Sequence, residues 1–168
     1  MKLTLLITSV LLFMSTSWLV AQEEMNMKSG DKATDFKYED QNGRVYSLKD
    51  FKGKYVFIDV WASYCKACLE EIPHLKKLEK AMKGKKIVFV SISIDQVKKE
   101  WTDRLKKIEL GGIHLILNFE DIAFMHDFRV ETIPRYILLD KEGKVVNVRM
   151  PFPSDPETMK ILNALKGL

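Results

Sequence analysis

Two cysteines stand three positions apart, Cys65 and Cys68, and the 168-residue chain has no others. A disulfide between them closes almost no loop, and restricting a loop in the unfolded chain gives a structural disulfide most of its model stabilisation. The spacing therefore points to a bridge with a chemical use. As a thiolate, Cys65 can attack the disulfide of another molecule. Cys68, about one helical turn further on, stands ready to attack the resulting mixed disulfide. Lys66 places a cation beside them. A zinc site would need two more ligands; there is no second Cys-x-x-Cys, and His74, His114 and His126 have no paired spacing. A c-type haem would need histidine directly after Cys68, where Leu69 stands. Neither metal nor other bound cofactor is expected, because the dithiol is itself the redox group.

A reactive pair needs a rigid mount, and the flanking sequence predicts one. Residues 55–61 form an almost continuous apolar run, as expected of a strand buried on both faces. Beyond the cysteines, Leu69, Ile72, Leu75, Leu78 and Met82 recur at three- and four-residue steps, the stripe of an amphipathic helix. Pro73 inside it predicts a kink, and Gly84 its end. Cys65 then falls at a helix N-terminus, where unpaired N–H groups and the helix dipole favour an anion. Residues 87–94 read as a second strand, 97–108 as a helix closed by Gly111-Gly112, 113–117 as a strand and 121–128 as a short helix. Residues 136–139 and 144–148 flank a hairpin turn, and 155–165 form a last helix. Upstream, 36–38 and 45–46 flank Asn42-Gly43, a strong hairpin signal. Alternating strands and helices predict an α/β fold, parallel in its first strands and mixed once the closing hairpin joins.

Four residues near the pair are further candidates. Asp59 is a carboxylate in the apolar strand. It is either solvated at the strand end, or buried with a raised pKa and placed to take the proton of Cys68. Glu71 lies one turn beyond Cys68, as an exposed helix acid or as a group that tunes the thiols. Trp61 and Tyr64 flank the turn, and packing alone would account for both.

The arrangement resembles the thioredoxin superfamily, and most closely its exported ResA/TlpA-like thiol–disulfide oxidoreductases. The resemblance rests on Trp61-x-x-x-Cys65-x-x-Cys68, on Asp59 six residues before Cys65, on Pro73 five after Cys68, and on Thr132-Ile133-Pro134 ahead of a strand and hairpin. Upstream, the segment from Gly30 to Phe36 and that from Asn42 to Gly53 are similar to the N-terminal hairpin of the group. Thr34 stands where the group usually has proline, and Lys66-Ala67 is not a dipeptide of a well-understood redox class. The resemblance implies a thioredoxin-like fold with an N-terminal β-hairpin extension. It implies Asp59 as a buried proton acceptor, and Trp61 and Tyr64 as parts of the surface that receives a substrate loop. It also implies a cis Ile133–Pro134 bond that sets the Ile133 backbone beside Cys65 for a substrate strand. The implied partners are protein thiols and disulfides, with a membrane-embedded electron donor for a reductase. Lys66 and the helix N-terminus favour the Cys65 thiolate and hence an oxidant, whereas Asp59 and Glu71 oppose it. Solvent screens an exposed lysine, so a reductase is expected.

The first residues predict export. Lys2 precedes an uncharged run up to Val20, and polarity changes at Gln22-Glu23-Glu24. A signal peptide over 1–21 and a thioredoxin-like domain over 22–168 are expected, in the periplasm or cell envelope; the same run, uncleaved, would tether the protein as a signal anchor. A net charge of +4, spread as scattered Lys-Lys pairs, offers no basic stripe for nucleic acid. Two other functions share parts of this pattern. A thiol peroxidase of the peroxiredoxin type would need threonine and proline where Ala62 and Ile58 stand, and a Sco-type copper protein spaces its cysteines one residue further apart.

Overall fold

A sheet assembles around strand β3 (Tyr55–Trp61), all seven residues of which are buried. A computed structural model describes residues 27–168 of the chain; the expected signal segment and residues 22–26 lie outside the described residues. Strand β3 pairs in parallel with β4 (Ile87–Ser93), and β4 in parallel with β5 (Ile113–Ile116). On its other side β3 pairs antiparallel with β6 (Arg135–Leu139), which pairs with β7 (Val145–Asn147). Strands β1 (Tyr38–Asp40) and β2 (Val45–Tyr46) form the N-terminal hairpin, and β1 pairs antiparallel with β5. The order is β2-β1-β5-β4-β3-β6-β7. The hairpin is thus an edge of the one sheet.

Side chains alternate across a strand, and both faces of β3 are apolar because both are covered. Val56, Ile58 and Val60 enter a core with Phe36, Tyr38 and Phe51 from the N-terminal segment, Phe124 from helix α3 (Ala123–Asp127) and Phe128 at its C-terminal cap. Tyr55 and Phe57 face Leu75, Leu78 and Met82 of helix α1 (Lys66–Ala81) and its end, and Leu162 of helix α4 (Pro156–Asn163). Trp61, on that same face, packs with Cys68 and with Trp101 of helix α2 (Lys98–Ile108). Burying an aromatic side chain such as Phe57 contributes on the order of 2–3 kcal/mol. Among the described residues no helix is long and apolar enough to cross a membrane.

Two expectations need correction. Strand β1 starts at Tyr38 rather than at residue 36, because the Asp35 carboxylate accepts the N–H groups of Phe36 and Leu48 and holds that stretch in a loop. Helix α1 carries Pro73 in its interior, as expected, and the proline removes the bond that Leu69 C=O would accept. Helix α2 ends before the glycine pair, at Glu109, which itself takes the left-handed conformation with φ 45°.

Candidate active site

The parallel strands β3, β4 and β5 end together, with Trp61, Ser93 and Ile116 in register. The reactive turn rises from this edge. Ala62 and Ser63 are still buried, Tyr64 is 68% exposed, and α1 begins at Lys66. Cys65 is the N-cap, with extended backbone, and its Sγ accepts the Cys68 N–H at 3.2 Å. The pair is joined as a disulfide with a Cα–Cα distance of 5.2 Å. The two sulfurs differ in access: Cys65 is half-buried and Cys68 is 2% exposed. Trp61 and Trp101 wall in Cys68, with Cys65, Leu69 and Ile133 packed on the same cluster.

Sequence reasoning missed the group that holds this turn. Asp95, buried just beyond β4, accepts the Ser63 N–H at 2.9 Å and the Ser63 hydroxyl at 2.6 Å. The Ser93 hydroxyl donates to the same carboxylate, and Asp95 N–H donates back to Ser93 Oγ at 3.0 Å. A second anchor is Arg135 at the start of β6. Its guanidinium donates to the carbonyls of Phe128 and Arg129 and so ties down the loop that carries Ile133 and Pro134. The Ile133–Pro134 bond is cis. The available signal for Asp95 was a carboxylate directly after an apolar run; its partner Ser63, 32 residues away, gave none.

Asp59 lies in the middle of the sheet, 4% exposed, flanked by Ser91 on β4 and Tyr136 on β6. Its Oδ2 accepts a long bond from Ser91 Oγ at 3.4 Å, and its Oδ1 has no partner among the described residues. Burial pushes its pKa up to about 7; the Ser91 bond opposes this, while the charges of Glu79 and Glu71 add to it. Glu71 is half-buried and turned to the loop before α4, where its carboxylate accepts Ser154 N–H at 2.9 Å and Ser154 Oγ–H at 2.7 Å. Tyr64 and Ser63 stand beside a groove of about 340 Å³ bordered on its far side by Glu100, Asp103, Arg104 and Lys107 of helix α2. Among the described residues no three His, Cys, Asp or Glu side chains gather as metal ligands.

An accessible sulfur at a helix N-terminus, a buried sulfur behind it and a near-neutral acid under the helix make an arrangement suited to disulfide exchange. Comparison with known proteins agrees. The family model described as Redoxin matches residues 28–165. Thiol-disulfide oxidoreductase ResA from Bacillus thuringiensis subsp. konkukian is 31% identical over 124 residues, which cover 74% of this chain and 70% of the relative. A solution structure of a candidate thiol-disulfide oxidoreductase from Bacteroides vulgatus is 43% identical, with a TM-score of 0.72, covering 83% of this chain and 91% of that one. The thioredoxin domain of another Bacteroides vulgatus thiol-disulfide oxidoreductase is 27% identical with a TM-score of 0.75, covering 82% of this chain and 97% of that one. The chain belongs to the Redoxin family, among the thioredoxin-fold thiol–disulfide oxidoreductases of the ResA/TlpA kind.

Proposed function

We propose that this protein is a reductase of protein disulfides outside the cytoplasm, in which Cys65 attacks, Cys68 resolves and Asp59 takes the proton of Cys68. The observation that carries this reading is the unequal exposure of the two sulfurs, together with a buried acid on the strand that leads into them. The Cys65 thiolate, favoured by the N-terminal N–H groups of α1, attacks one sulfur of a substrate disulfide. The other substrate sulfur leaves as a thiolate. Cys68 then loses its proton to Asp59 and attacks Cys65 Sγ, which closes the Cys65–Cys68 bridge and frees the second substrate thiolate. Two electrons pass from the dithiol to the substrate. Asp59, with a pKa of about 7, is basic enough to accept a thiol proton near neutrality and acidic enough to give it up again. Tyr64, Ile133 and Pro134 would form the surface on which a substrate strand lies, while Trp61, expected there, is fully buried and instead packs behind Cys68; Glu71 acts through its charge on Asp59.

Export is supported by the charged, then apolar, first 21 residues. A reductase in an oxidising compartment must be recharged, and the reading includes a membrane-embedded electron donor. Direction follows from charge: Asp59 and Glu71 disfavour the Cys65 thiolate, whereas the opposing Lys66 is exposed and screened. A weakly stabilised reduced form is a better electron donor. The test is equilibration of the pair with glutathione buffers. A potential well below the oxidising extreme of roughly −120 mV is expected, and a value at that extreme would overturn the reductase assignment.

A further inference from the structure

The face of the sheet beneath α1 carries a line of polar side chains through its apolar surroundings. The strand register sets Tyr136, Asp59, Ser91 and His114 side by side on β6, β3, β4 and β5. All four are buried, although the rows toward the other end of the strands hold Phe57, Phe89 and Leu138. His114 Nε2 lies 2.9 Å from the Leu110 carbonyl, so this nitrogen carries the hydrogen and Nδ1 is left as an acceptor.

Helix α1 brings one more acid to this layer. Cys68, Ile72, Leu75 and Glu79 follow one another at four, three and four residues, so Glu79 lies on the same helix stripe as Cys68. Its carboxylate rests against Gly111 and Gly112, directly ahead of β5. A methyl group at Gly111 would stand 2.7 Å from Glu79 Oε2. One at Gly112 would stand 3.2 Å from Oε1 and 2.7 Å from the Phe89 carbonyl. Only glycines leave this seat open.

Three buried atoms in this layer have no partner among the described residues: Asp59 Oδ1, His114 Nδ1 and Glu79 Oε1. Leaving one such atom unpaired costs about 1–3 kcal/mol. Buried polar groups in such positions are normally joined by ordered water. We propose that Glu79, seated on Gly111-Gly112, is the outer end of a water-bridged proton path that runs from Asp59 past Ser91 and His114 and carries away the proton Asp59 takes from Cys68. The inference rests on the reading of Asp59 as proton acceptor.

The step balances without electron transfer. Cys68 Sγ–H gives its proton to the Asp59 carboxylate. Asp59 passes a proton into the water and hydroxyl chain, the chain delivers one to Glu79, and Glu79 releases it through its exposed side. Asp59 and Glu79 return to their starting state, and the same path in reverse supplies a proton when the disulfide is reduced. The electrostatics suit such a hand-over. Burial holds Asp59 at about 7 and Glu79 at about 7, so neither traps the proton. Around Asp59 the charges of Glu79 and Glu71 raise its pKa, and Tyr136 faces it from β6 with its own pKa driven up by burial. Around Glu79 the Gly111 N–H and Lys76 oppose the effect of burial, and burial lowers the pKa of His114 against the opposing pull of the Leu110 and Gly111 backbone.

The test mixes the reduced full chain with oxidised glutathione, so that Cys65 takes one half as a mixed disulfide and releases the other, and follows release of the second glutathione by Cys68 against pH. Glu79→Gln should slow release roughly tenfold near neutrality, part of the 10²–10⁴ that positioned proton transfer supplies. Raising the concentration of a small buffer such as imidazole should restore the rate, and Glu79→Asp should keep most of it. Gly111→Ala, whose methyl displaces the carboxylate, should reproduce the loss and serves if Glu79→Gln does not fold. An unchanged rate–pH profile in the Glu79 and Gly111 variants overturns the path, as does a loss that buffer does not rescue. If Asp59→Asn leaves the profile unchanged, the proton-acceptor reading itself falls and the path falls with it.

Discussion

Cys65 and Cys68 have one chemistry and two environments. The half-buried Cys65 sits at the free end of α1, whereas Cys68 is enclosed by Trp61 and Trp101. Alkylation of the reduced protein at neutral pH should therefore label Cys65 first, as peptide mass spectrometry would show; preferential labelling of Cys68 would reverse the assigned roles. Asp59 makes a separate prediction about stability. Its folded pKa, about 7, lies above the ordinary carboxylate value of 3.8. A raised acid contributes its stability fully below the unfolded value and loses it as pH rises through the folded one. Asp59→Asn should thus gain stability relative to the parent between about pH 4 and pH 7. At one pKa unit per 1.36 kcal/mol the gain is a few kcal/mol at most. Thermal unfolding at both ends of that window measures it, and equal differences at the two ends would show Asp59 to be ionised without penalty. Asp59 was legible as a candidate because an acid inside YVFIDVW breaks an apolar run. Glu79 was not legible, since an acid among the lysines of an amphipathic helix reads as solvated until Gly111 and Gly112 are seen against it.

At the scale of elements, the active turn is a β3-to-α1 junction held from the side. Asp95 accepts from Ser63 and Ser93 at once, so Asp95→Ala would strand the buried Ser63 N–H and two hydroxyls. A loss of about 2–4 kcal/mol is expected in denaturant unfolding. Exchange at Cys65 should slow, because the turn is no longer held at β4. Asp95→Asn, which keeps one acceptor oxygen, should lose less; equal exchange rates in parent and Asp95→Ala would show that the clamp does not position the turn. Most elements could be read from local pattern. The observed ends of β3, β4, α2 and β5 lie within about a residue of those expected, because continuous apolar runs and a 3.6-residue stripe are local properties. The start of β1 was not local: Asp35 reaches Leu48, 13 residues on. The ties from Glu71 to Ser154 and from Ser63 to Asp95 likewise cross between elements, 83 and 32 residues apart.

Taken whole, the molecule sets one seven-stranded sheet between two apolar cores, with its chemistry gathered at the common end of three parallel strands. The α/β mixed sheet followed from the alternation of strands and helices, and the thioredoxin likeness from a few spaced residues. The polar row under α1 could not be seen in advance, because it depends on the register of four strands. This architecture leaves one sulfur half-buried at a helix end while the other stays enclosed by Trp61 and Trp101. The most direct test mixes the reduced full chain with a protein that carries one accessible disulfide, quenches in acid and counts thiols on both by mass spectrometry. Each substrate disulfide opened should be matched by one Cys65–Cys68 bridge. Cys68→Ser should halt at a covalent adduct through Cys65, and Cys65→Ser should do nothing. Substrate reduced as fast by Cys65→Ser, or reduced without formation of the bridge, would contradict the account.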